Sequence, residues 1–143
     1  MPADETLHQI GEVAKRVGLS LRTVRYYEEE GLVRPAQRTE GGFRLYSEGE
    51  IARLELIKQM KPLGFTVQEM KQLLDARDRL ESSEPGTRGH ERELDRLGAY
   101  ADVTKQKIEA LREQLDAAER FRGRLRKELR SHRGRAASVP ARG

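Results

Sequence analysis

Between Val17 and Leu21 the chain must end one helix and begin another within three residues. Ahead of that point Ile10, Val13, Ala14 and Val17 recur at helical spacing and give one apolar face, while Glu12, Lys15 and Arg16 fall on the other. Gly18 ends the helix. Ser20 suits the cap of a second one starting at Leu21, because its hydroxyl can accept from first-turn amides that have no helical partner. In that second helix Leu21 and Val24 are expected to point inward and Arg22, Arg25 and Tyr26 to share the opposite side, with Gly31 as the stop. Two short helices so tightly joined, one with an exposed basic and aromatic face, make a helix-turn-helix, a device that reads DNA.

The next residues add a wing. Gly41-Gly42 separates Val33-Arg34 from Phe43-Arg44-Leu45-Tyr46, and the two flanking runs are expected to pair as a short β-hairpin. Ser47 with Glu50 reads as a capping box opening a third helix from about Glu48 to Lys61, with Ile51, Leu54 and Ile57 inward. Pro62 and the run Leu63-Gly64-Phe65 break the chain sharply. Thr66 with Glu69 then repeats the capping box and opens a fourth helix that carries Val67, Met70, Leu73 and Leu74 on one side. Met1 to His8 carry no pattern and are expected to be a loose leader. Residues 78–90, DRLESSEPGTRGH, lack an apolar period and read as a linker.

From Leu94 the period changes to 3.5. Steps of three and four run through Leu94, Leu97, Ala101, Thr104, Ile108, Leu111, Leu115, Ala118, Arg122, Leu125 and Leu129, and nine of these eleven positions are apolar. A seam of that period, lined by charges, is a dimerising coiled coil over residues 91–130, locally weakened by Gly98 and Gly123. Its start is acidic at Glu91, Glu93 and Asp95, and its end is basic at Arg120, Arg122, Arg124, Arg126, Lys127 and Arg130. Opposite charges meet only if the two helices run antiparallel. Residues 131–143, with Gly134 and Pro140, read as a disordered basic tail.

The wording TVRYYEEEGL and GGFRLYS, set in a helix-turn-helix with a wing, resembles the MerR family of bacterial transcription regulators over residues 8–77. That resemblance implies that the second helix enters the major groove through Arg22, Thr23, Arg25, Tyr26 and Tyr27, with Lys15 nearby. It also implies that Arg38, Arg44 and Tyr46 of the wing brace against phosphates. Leu63-Gly64-Phe65 would be the family's second wing, preceded by Lys58 and Lys61 where the family more often shows arginine. Glu29 and Glu30 depart from its usual, more basic wording, whereas Glu28 matches. By the same resemblance, such dimers bind between promoter elements that are too far apart for polymerase and distort the DNA until both face it.

Charge and composition bound the alternatives. The formal charge of +4 is unevenly spread: residues 1–77 carry 12 basic and 12 acidic side chains, residues 78–119 carry 7 and 11, and residues 120–143 carry 9 and 1. The reading head must therefore segregate its charges. No cysteine is present, so thiolate metal sites, disulfides and cysteine nucleophiles are excluded. His8, His90 and His132 stand far apart and read as plain surface residues, and no phosphate loop or nucleophile elbow occurs. Neither a spanning run nor a signal peptide is seen, so a cytoplasmic protein is expected, without a large ligand-binding domain after the coiled coil.

The expected fold is mainly α: a winged helix-turn-helix head with four helices, two wings and a short β-hairpin, followed by a long antiparallel dimerisation helix. The seam residues are Leu94, Leu97, Ala101, Ile108, Leu111, Leu115, Ala118, Leu125 and Leu129. The expected function is a homodimeric transcription regulator on a pseudo-palindromic site in double-stranded promoter DNA, working with RNA polymerase and needing no cofactor, metal or membrane. An architectural or excisionase-like DNA-bending protein is the alternative, and the effector is not legible.

Overall fold

In the computed structural model, which describes residues 6–138 with side chains to residue 136, the helix breaks fall where local chemistry puts them. Helix α1 (Ile10–Val17) ends at Gly18, which takes φ 71° and donates its amide to the Ala14 carbonyl. Helix α2 (Leu21–Glu29) starts behind Ser20, whose hydroxyl accepts from the Thr23 amide at 3.0 Å. Gly31, at φ 80°, turns the chain so that the Leu32 amide reaches the Tyr27 carbonyl at 2.9 Å.

Three short strands follow a less local logic. β1 (His8–Gln9) and β2 (Gln37–Arg38) both pair antiparallel with β3 (Arg44–Tyr46), which lies between them. The hairpin thus uses Gln37–Arg38 rather than the expected Val33-Arg34. Val33 is buried in the core, and Pro35 has no amide hydrogen to give a ladder. The ladder begins only at the Ala36 amide, 2.7 Å from the Leu45 carbonyl. β1 corrects the loose-leader reading for its last residue. Residues 1–5 of that leader lie outside the described residues.

Helix α3 (Glu48–Met60) begins at Ser47, but its capping box is only half made. The Ser47 hydroxyl accepts from the Glu50 amide, whereas the Glu50 carboxylate turns to the Arg34 amide at 3.0 Å. A single 3-10 turn (Lys61–Leu63) and Gly64 at φ 84° lead to α4 (Val67–Ser82), where Thr66 and Glu69 form the complete box. Helix α5 (Arg88–Ser138) follows. The expected 78–90 linker therefore shrinks to residues 83–87, because only Pro85 and Gly86 resist helix, Gly86 at φ 87°. The expected disorder from Ser131 does not hold as far as Ser138, since α5 continues through Gly134 to that residue. Residues 139–143 lie outside the described residues.

The core joins Val13, Val17, Val24, Tyr27, Leu32, Val33, Tyr46, Leu54, Ile57, Met70 and Leu74, all at 2% exposure or less. Leu97 and Tyr100 of α5 pack against it: the Tyr100 ring centroid lies 6.4 Å from that of Phe65, and its hydroxyl donates to Gln72 at 2.9 Å. The head thus extends to Ala101, and residues from Asp102 onward form a second unit. In that unit the apolar side chains of α5 are uncovered, Ile108 at 39% and Leu115 at 60% among them.

Candidate nucleic-acid interface

Helix α2 buries Val24 and Tyr27 and exposes Arg22, Arg25 and Tyr26, as the period of 3.6 requires. Arg22, Arg25 and Lys15 of α1 are exposed and hold no ion pair with a described residue, so their charge is available to an outside partner. Tyr26 is 45% exposed, with its ring tilted 49° against Tyr27 at 5.6 Å. The Thr23 hydroxyl lies 2.8 Å from that of Ser20 and so is engaged at the start of the helix.

Several of the expected contact residues prove to be structural. Tyr27, at 2% exposure, is core, and burial raises its hydroxyl pKa above the ordinary phenol value. Tyr46 is fully buried. Burial, then a bond to Glu28, raises its pKa strongly, and its hydroxyl donates to the Glu28 carboxylate at 2.6 Å instead of facing phosphate. Helical period puts Tyr27 on the side of Val24, whereas nothing local in the sequence marks which way Tyr46 turns. Lys58 donates to the Val17 carbonyl at 2.6 Å, placing its cation on the C-terminus of α1, where the helix dipole favours it. Lys61 remains exposed in the 3-10 turn.

Glu28 is the residue that sequence reasoning undervalued. From α2 it accepts from Arg44 Nε at 2.9 Å and from the Tyr46 hydroxyl, and lies 3.8 Å from Arg38. One carboxylate therefore docks the reading helix onto the wing. Arg44 thus engages Glu28 through its Nε, and Arg38 is 57% exposed. The wing tip is closed by Thr39, whose amide donates to the Phe43 carbonyl at 2.8 Å and whose carbonyl accepts from Gly42 at 2.9 Å.

Leu21 departs from the inward position expected of it: it is 43% exposed and shares the outer face with Arg25, one turn away. His8, read as a plain surface residue, has a largely buried side chain between Glu12 at 3.2 Å and Glu48 at 2.7 Å. Glu48 also accepts from both terminal nitrogens of Arg16, at 2.8 and 3.1 Å. Arg16 first, and His8 second, hold the Glu48 carboxyl down at about 2, below its ordinary 4.5. A depressed carboxylate stabilises the fold above its unfolded pKa and loses that contribution as pH falls through the folded one. Glu48→Gln should therefore be less stable than wild type near pH 6, with the gap closing from about pH 4.5 down to about pH 2. Denaturant melts across that range check this, and a gap independent of pH would refute the linkage.

Among the described residues no group of three or more metal-ligating side chains gathers, and no helix is long and apolar enough to cross a membrane. Residues 9–77 match the family described as MerR HTH family regulatory protein, and residues 51–127 match that described as MerR, DNA binding. A mercuric resistance operon regulatory protein of Bacillus cereus is 46% identical over 74 residues, 52% of this chain and 56% of that one. The HTH-type transcriptional regulator HmrR of Sinorhizobium medicae is 38% identical over 101 residues, 67% of this chain and 69% of that one. The chain spans about half the length of several other curated relatives. HiNmlR, a regulator lacking the sensor domain and solved bound to promoter DNA, superposes with a TM-score of 0.65 over 93% of this chain and 95% of its own. Its 17% identity makes that a likeness of fold.

Proposed function

This chain belongs to the MerR family of helix-turn-helix regulatory proteins, and from that premise we propose that it is a sequence-specific transcription regulator. It binds a pseudo-palindromic promoter site as a homodimer and distorts the DNA to control initiation by RNA polymerase. The observation that carries this reading is the face of α2. Arg22, Arg25 and Tyr26 stand exposed, the two arginines hold no ion pair with a described residue, and Glu28 ties the same helix to the wing arginines. Arginine can take guanine or phosphate bidentately and tyrosine can bond phosphate oxygen, so the face suits a major groove and its flanking backbone.

A single head buries little DNA surface, whereas two linked heads gain the effective concentration of the linkage. The exposed apolar residues of α5 supply that link in this proposal, with Leu94, Ala101, Ile108, Leu111, Leu115, Ala118, Leu125 and Leu129 along the seam, while Leu97, expected there too, packs on the core of its own head. Binding and distorting DNA calls for no catalytic step, and in this proposal the DNA target puts the protein in the cytoplasm. Titration of a selected duplex at several salt concentrations tests the reading. Specific binding with two heads per site and a steep salt dependence is expected, because several cations per head displace counterions. Binding that ignores sequence would instead favour an architectural protein.

A further inference from the structure

Between residues 6 and 93, the large apolar side chains left exposed are Leu21, Tyr26 and Phe43. A lone exposed leucine is ordinary on a protein surface. Here, however, two of the three lie on α2, whose Arg22 and Arg25 hold no ion pair with a described residue, and the third lies on the wing tip, whose arginines lean on Glu28. Phe43 has a local reason for its place. A Cβ at Gly41 would lie 3.2 Å from its ring, so the ring folds back over the turn. Tyr26 has its hydroxyl to offer a phosphate. Leu21 has neither: it is 43% exposed, and it is absent from the partly buried apolar side chains packed on the core, although Leu19 two residues earlier is among them.

Its position narrows what it could meet. Leu21 is the first residue of α2, behind the Ser20 cap, and residues at the start of a reading helix are those that approach base edges. It stands beside Arg22 and one turn before Arg25. On that face an isobutyl group offers no hydrogen bond. The one apolar group that a base pair presents in the major groove is the C5-methyl of thymine. Resting on the DNA-binding reading above, we propose that Leu21 is a specificity-determining residue that selects a thymine in each half-site by packing on its methyl group.

The chemistry allows a test by single-methyl deletion. A duplex is first selected by wild type from random sequence, and each symmetric pair of thymines is then replaced by deoxyuridine, which lacks only the methyl. At one such pair wild type should lose about fourfold in affinity per half-site and about fifteenfold for both, as expected for one buried methyl. Leu21→Ala should bind the thymine and deoxyuridine duplexes equally, and Leu21→Met should keep most of the discrimination. Because Leu21 is exposed, neither change threatens the fold. A selected site whose deoxyuridine effects all persist in Leu21→Ala, or one without thymine near the reading helix, would overturn this inference alone. Failure of wild type to select any sequence would overturn the DNA-binding reading with it.

Discussion

Replacing Leu111 with Lys is expected to leave the head folded and to lower affinity for the selected duplex by about a hundredfold or more, because the dimer linkage is worth that much effective concentration. Leu111 is 44% exposed, and nothing in the head rests on it. The charge pattern makes the effect large. If the acidic start of α5 meets the basic end of its partner, Leu94 stands near the partner's end of the seam, by Leu129, and the symmetry point falls close to Leu111. A lysine there would face its own copy, so two buried like charges would confront each other. Sedimentation should report a monomer and calorimetry an intact head. Spin labels at residue 94 on one copy and residue 129 on the other should be close in the wild-type dimer. A dimer that survives Leu111→Lys, or labels far apart, would refute the antiparallel seam.

Arg25→Ala is expected to weaken binding by about 1–3 kcal/mol per head, the range for losing one paired base or phosphate contact, and so by about twice that per dimer. Among the α2 residues Arg25 is central. It is exposed, holds no ion pair with a described residue, and lies between Leu21 and Glu29 on the outer face, so its loss should leave stability nearly unchanged. Titrations at matched salt, set beside thermal melts, separate the two effects. Affinity equal to wild type would remove Arg25 from the interface, and a large drop in melting temperature would make it a structural residue.

The parts of this fold that could be read in the sequence are those whose cause is local. Gly18, Ser20, Gly31, Ser47 and Thr66 act on amides and carbonyls within one turn of themselves, and helices α1 to α4 each begin or end where one of them stands. Features that rest on distant partners were not legible. β1 exists because β3 has an edge to pair, and nothing in His8-Gln9 announces that. Glu50 abandons its capping box because the Arg34 amide, sixteen residues away, reaches it first. The same division runs through the interface. Helical period correctly exposes Arg22, Arg25 and Tyr26. It cannot tell that Tyr46 turns inward to Glu28, that Lys58 is spent on the end of α1, or that Leu21, an apolar residue at a helix start, faces out. Resemblance to a family carried Tyr46 and Lys58 over as DNA contacts; burial and hydrogen bonding reassign Tyr46, while Lys58 gives a hydrogen bond to the end of α1 and stays exposed.

In the proposed function the exposed face of α2 directs this chain to particular promoter sites. The most direct measurement is a map of the DNA bound in cells by wild type and by Arg25→Ala, read with the transcripts that change on deletion. Discrete sites are predicted, each an inverted repeat inside an overlong promoter spacer, lost in Arg25→Ala and next to genes whose transcription shifts. Diffuse binding without such sites, or the same sites held by Arg25→Ala, would contradict it.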